Sequence, residues 1–110
     1  KFAAGGEMLK EINEACLDGF LVHPVAVLIF SSPWCTSCKK LATSLEGLCR
    51  RLESRVAFGM CDISANPSIP SKMQVFSVPA LIVFKEGREV RRLQGQASEA
   101  EISKALEVYL

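Results

Sequence analysis

Apolar and polar residues follow one another along this chain in two rhythms, and each rhythm marks out elements. Met8, Leu9, Ile12, Ala15 and Cys16 share one face at helical spacing, which predicts an opening helix ending near Asp18-Gly19. Val25-Ala26-Val27-Leu28-Ile29-Phe30 is an unbroken apolar run and reads as a strand buried on both faces. Pro24 stands at its edge, where a missing N–H does least harm. Behind it, Leu41, Leu45, Leu48 and Leu52 return at helical spacing and predict a long helix running to about Arg51 or Glu53. A second strand is expected roughly from Arg55 to Ile63, followed by an Asn66-Pro67 turn and a short helix from Ser68 to Gln74. Pro70 fits only the first turn of that helix. Ala80-Leu81-Ile82-Val83-Phe84 is the next strand, and Lys85-Glu86-Gly87-Arg88 turns it into a hairpin partner from Glu89 to Leu93. Arg88, Glu89, Arg91 and Arg92 suit that partner to a charged, non-sticky edge, and Gly95 ends it. Ser98 and Glu101 form a capping box for a last helix with Ile102, Ala105, Leu106 and Tyr109 on its buried stripe.

Helices between strands imply parallel crossovers, and the terminal hairpin adds an antiparallel edge. The fold class is therefore α/β, with a central mixed sheet of four to five strands and helices on both faces. A chain of 110 residues suits one domain, 1–110, and is too short for two. Its formal net charge of +1 gives no electrostatic case for nucleic acid or a membrane surface as partner. No apolar stretch reaches the length of a membrane span. The first residue is Lys1 rather than methionine, which leaves room for a leader or an upstream domain ahead of it. Five cysteines is an odd count, and only Cys35 and Cys38 are closely spaced. That usage fits a reducing compartment such as the cytoplasm better than a disulfide-stapled secreted module.

The candidate chemistry sits in Trp34-Cys35-Thr36-Ser37-Cys38-Lys39, where the buried strand gives way to the long helix. Cys35 falls at the helix N-terminus, facing unpaired backbone N–H groups and the positive end of the dipole. That position favours a thiolate, the reactive form of the thiol. One helical turn brings Cys38 to the same side, near enough for a disulfide. The competing readings are a structural metal pair or two inert thiols. Zinc would need two further ligands, and His23, Cys49 and Cys61 show no ligand-like spacing. Cys16, Cys49 and Cys61 read as small buried hydrophobes, and His23 as a surface or capping residue.

At these residues the sequence resembles the thioredoxin family, and the match runs through nearly the whole chain. Trp34-Cys35-x-x-Cys38-Lys39 is similar to its active-site motif. Val78-Pro79 is similar to its substrate loop, at the family's spacing from Cys35. Asn66-Pro67, Phe84-Lys85-x-Gly87 and Gly95 also fall where similar residues occur. The resemblance implies the thioredoxin fold and a cis Val78-Pro79 bond facing the cysteines, with Trp34, Val78, Pro79 and Gly95 forming the substrate surface. It further implies protein dithiol–disulfide exchange, in which Cys35 attacks a partner's disulfide and Cys38 resolves the mixed disulfide. No cofactor or metal is implied beyond the redox-active pair. The expected partners are disulfide-containing proteins and a thioredoxin-reductase-type electron donor, met by a monomer.

The departures from the family pattern bear on tuning. Thr36-Ser37 replaces the usual Gly-Pro between the cysteines. Ile29 stands where the family has a buried aspartate, and Met60 where a lysine neighbours it, so both charges are absent together. Losing one alone would leave a buried charge uncompensated. Ser31 takes the place of a frequent second tryptophan, and Thr43 that of a mid-helix proline, which predicts a straighter helix. Lys39 lends a modest favourable field. The alternatives to a disulfide reductase are an oxidase or isomerase role, a binding module that keeps the fold without turnover, and a thiolate metal carrier.

Overall fold

Strand pairing, not helix propensity, decides how the described part of the chain begins. In the computed structural model, which describes residues 9–110, Lys10–Glu11 forms an edge strand, β1, in place of the expected opening helix. Leu9 and Ile12 are both buried, but in cores on opposite sides of the sheet. Three residues apart they would share one face of a helix, whereas on extended chain they point to opposite sides. A helix of two turns is also marginal alone, while a sheet edge offers backbone partners at once. Ile12 accordingly donates its N–H to the Met60 carbonyl at 2.8 Å. Gly59 allows this close approach, because a Cβ there would stand 2.6 Å from Ile12 Cγ1. The helix starts only at Leu17–Leu21, α1, after Asn13 Oδ1 accepts the Cys16 N–H. Cys16 is thus an exposed residue at the N-cap of α1 and not a buried one on a helix face. Met8, expected on that face, lies outside the described residues.

The remaining elements are β2 (Val25–Ser31), α2 (Thr36–Ser44), α3 (Glu46–Leu52), β3 (Ala57–Asp62), α4 (Ser68–Met73), β4 (Ala80–Lys85), β5 (Arg88–Gln94) and α5 (Glu99–Glu107). The sheet has five strands in the order β1-β3-β2-β4-β5. β2 is its centre and is buried along its whole length, as its unbroken apolar run requires. β1 and β2 lie parallel to β3, while β4 runs antiparallel to both β2 and β5. The expectation of parallel crossovers at every helix therefore fails at α4. A parallel return would have to travel back along a strand of about 20 Å, and six residues of helix span only about 9 Å. The chain instead leaves β3 and enters β4 at the same end of the sheet, since Ser31 pairs with Asp62 and Phe30 with Ala80.

Helices α2, α3 and α5 cover one face, where Leu41, Leu45, Leu48, Ile102 and Leu106 pack on Val27, Ile29 and Met60. Helices α1 and α4 cover the other, with Phe20 and Ile69 against Leu28, Phe30 and Ile82. The hairpin joining β4 to β5 turns through Glu86 and Gly87, both at positive φ. Ser98 caps α5 through the capping box, donor and acceptor both in place with Glu101.

The long helix is interrupted at Leu45: it ends at Ser44 and resumes at Glu46, although Thr43 has replaced proline. Thr43 Oγ1 donates to the Lys39 carbonyl at 3.0 Å and Ser44 Oγ to the Lys40 carbonyl at 3.1 Å. Such back-bonding competes with the helical ladder at the point where it breaks. The Leu45 N–H is shared between the carbonyls of Leu41 and Ala42.

Candidate active site

β2 delivers the chain to the sheet's end, and residues 32–35 turn it into α2. Cys35 occupies the N-cap with extended backbone angles, and its Sγ accepts the Cys38 N–H at 3.1 Å. The first turn of the helix is therefore capped by sulfur rather than by a hydroxyl or carboxylate. A negative sulfur is the better acceptor for that N–H, so the same contact that starts the helix favours the thiolate. Cys35 and Cys38 form a disulfide with Cα atoms 5.3 Å apart. Cys35 is half-buried, while Cys38 is 2 % exposed and faces the core. The pair thus presents one sulfur to a partner and withholds the other.

Trp34 is 75 % exposed beside Cys35, and Thr36, Ser37 and Lys39 are exposed on the first turn. The Val78–Pro79 peptide is cis. Because Phe30 pairs with Ala80, Pro79 lies at the same end of the sheet as the loop into Cys35. Gly95 donates its N–H to the Pro79 carbonyl at 2.8 Å. Ile29 and Met60 are fully buried and paired in register beneath α2, with no ionisable group between them.

Three supporting side chains carried no signal in the sequence. Gln94 Nε2 donates to the carbonyl and hydroxyl of Ser77, at 3.1 and 2.8 Å, and to the Pro79 carbonyl at 3.3 Å, which clamps the cis-proline loop to β5. Gln96 Nε2 donates to the Ser37 carbonyl at 2.6 Å and ties the loop before α5 to the first turn of α2. Phe76, 88 % exposed, stands on the loop leading to Val78. Isolated glutamines and one phenylalanine have no periodicity that would mark them.

The other three cysteines are free thiols. Burial pushes the Cys49 thiol up to about 12, against a smaller opposing pull from Arg50. Cys61 is raised to about 11 by burial first and the neighbouring Asp62 second. His23 is exposed, and its Nδ1 lies 2.9 Å from the Phe20 carbonyl at the end of α1. Among the described residues no group of three or more His, Cys, Asp or Glu is arranged to hold a metal ion. No helix among them is long and apolar enough to cross a membrane.

Comparison with known proteins agrees with this geometry. The thioredoxin family model matches residues 9–108. The chain is similar to thioredoxin of Staphylococcus aureus strain Mu50, 31 % identical over 102 residues that cover 93 % of this chain and 98 % of that protein. Thioredoxin of strain MW2 matches to the same extent. Among solved structures, a mutant thioredoxin from Halobacterium salinarum NRC-1 superposes with a TM-score of 0.84 over 91 % of this chain and 88 % of that one, at 24 % identity.

Proposed function

Since this chain belongs to the thioredoxin family and is a dithiol–disulfide oxidoreductase, we propose that Cys35 is its nucleophile and Cys38 its resolving thiol. The observation that carries this assignment is the Cys38 N–H held on Cys35 Sγ at the mouth of α2. Cys35 as thiolate attacks one sulfur of a partner's disulfide, and the other sulfur leaves as a thiolate. Cys38 then attacks Cys35 Sγ, the mixed disulfide breaks, and the reduced partner departs from a closed 35–38 disulfide. Trp34 gives the incoming peptide an apolar wall, and Val78, Pro79 and Gly95 its backbone edge. Thr36, Ser37 and Lys39 tune the thiols from the first turn, and Ile29 and Met60 by the charges they lack.

The pair works without a bound cofactor, and the electrons come from a reductase of the thioredoxin-reductase type. The exposed, charged strand β5 supports action as a monomer. Cys16, Cys49 and Cys61 are free thiols, which suits a reducing, cytoplasmic setting.

Reduction of insulin disulfides with dithiothreitol as donor tests the reading. The full chain should turn over, while Cys35→Ser should abolish turnover and Cys38→Ser should stall at a trapped mixed disulfide. Redox titration of the pair against dithiothreitol and glutathione then separates reductase from oxidase or isomerase. No turnover would favour a binding module, and stoichiometric zinc or copper on the purified reduced chain a metal carrier.

A further inference from the structure

Ser31 is 2 % exposed, and its Oγ is the buried side-chain oxygen that has no hydrogen-bond partner among the described residues. Proteins rarely leave such a group unpaired, and the usual missing partner is water. Ser31 is one of the residues around a pocket of about 570 Å³, with Cys38, Lys39, Met60, Asp62 and Glu11. That is room for several waters at about 30 Å³ each. Ser31 and Asp62 sit side by side in register on β2 and β3. Strand alternation places both on the face of Ile29 and Met60, the face that α2 covers and into which Cys38 is buried. The small Ser31 side chain leaves this space open.

We propose that this pocket carries the proton of the resolving thiol, with water held on Ser31 Oγ relaying it to the Asp62 carboxylate. The relay rests on the Cys35–Cys38 exchange proposed above. In the mixed disulfide, Cys38 Sγ–H gives its proton through water to Asp62. The freed electron pair on Cys38 Sγ attacks Cys35 Sγ, the bond from Cys35 to the partner breaks, and the partner's sulfur leaves with that bond's pair. Asp62 returns the proton through water to the departing thiolate. The cysteine pair is oxidised and the partner reduced by the same two electrons.

Three charged groups border the pocket: Asp62 from β3, Lys39 from α2 and Glu11 from β1. Glu11 pairs beside Met60, and β3 separates its strand from β2, whereas Asp62 adjoins Ser31 directly. Ser64 fixes Asp62 at the strand's end by donating its N–H and hydroxyl to Oδ1, at 2.9 and 2.6 Å.

The test is stopped-flow reaction of the reduced chain with stoichiometric dithio-bis-nitrobenzoate, in a Cys16→Ser background because Cys16 is exposed. The first nitrothiobenzoate released reports attack by Cys35, and the second reports attack by Cys38. The second phase should be nearly independent of pH between about 5.5 and 8, because the relay takes the proton without free ionisation of the thiol. In Asp62→Asn, its rate relative to the first phase should fall roughly tenfold near pH 6 and rise steeply with pH, as free ionisation of a thiol requires. Ser31→Ala should show the same change and Ser31→Thr, which keeps the hydroxyl, should restore the profile. The Ser31 pair decides the matter if Asp62→Asn does not fold. An unchanged profile in these variants, or a change that follows Glu11→Gln instead, overturns the relay. Absence of any second release in the Cys16→Ser chain overturns the exchange reading itself.

Discussion

Ile29 and Met60 stand in register on β2 and β3, both fully buried beneath α2. Both belong to the apolar core under that helix, and such a pair asks no buried charge to be compensated. Introducing one charge alone does.

Ile29→Asp is therefore expected to destabilise the fold by about 3 kcal/mol at neutral pH, because Met60 offers the carboxylate no donor. The buried carboxyl would titrate above its unfolded value, so the unfolded chain ionises first. The penalty should be small at about pH 4 and grow as pH rises towards the folded value. Urea unfolding at about pH 4.5 and pH 7.5 measures both points, and the double variant with Met60→Lys should recover part of the loss. Equal destabilisation at the two pH values would show that lost packing, not charge, dominates.

Gln94 holds the cis-proline loop through three acceptors on Ser77 and Pro79. Gln94→Ala should lower kcat/KM for insulin reduction about fivefold, since roughly 1 kcal/mol of positioning is lost. The effect should fall on KM rather than kcat, because in the proposed function the loop serves as the peptide's backbone edge. The exposed side chain contributes little to the core, so the urea midpoint should barely move. A large fall in midpoint with unchanged kinetics would mark Gln94 as a purely structural tie.

What could be read in the sequence was whatever depends on neighbours along the chain. The apolar run of β2, the Ser98–Glu101 box, the Glu86-Gly87 turn and the cysteine pair at a strand-to-helix junction are all local patterns. What could not be read depends on partners far away. Leu9 and Ile12 fit a helical face equally well until β3 offers its edge to Lys10–Glu11. Ser31 and Asp62 become neighbours only through strand register, and Gln96 reaches Ser37 across 59 positions. The interruption after α2 has a different origin: with no proline at position 43, the hydroxyls of Thr43 and Ser44 still compete for the Lys39 and Lys40 carbonyls.

That interruption yields a third prediction. Replacing Thr43 and Ser44 by alanine removes both competing hydroxyls and substitutes a better helix former at each position. The double variant should gain about 0.5–1 kcal/mol and raise the thermal midpoint by several degrees. Far-ultraviolet circular dichroism should show slightly more helix. No gain would mean that the packing of Leu41, Leu45 and Leu48, and not the hydroxyls, sets the interruption.

The buried thiols set the alkaline limit of the fold. Cys49 is raised to about 12 and Cys61 to about 11, from an ordinary value of 9.0, chiefly because burial disfavours the thiolate. Above about pH 9 both thiols ionise in the unfolded chain while both remain protonated in the folded one. The unfolded state then binds fewer protons, so stability falls as pH rises. Each thiol contributes about 1.4 kcal/mol per pH unit once its unfolded form is ionised. The unfolding free energy should therefore be level from about pH 7 to 8.5 and drop steadily between about 9 and 10. Cys49→Ala with Cys61→Ala lowers the starting stability through lost packing, but should flatten that drop. At about pH 8 in the oxidised native chain, iodoacetamide should modify Cys16 alone, the exposed thiol of the three. A drop of unchanged steepness in the double variant would assign the alkaline sensitivity to other groups.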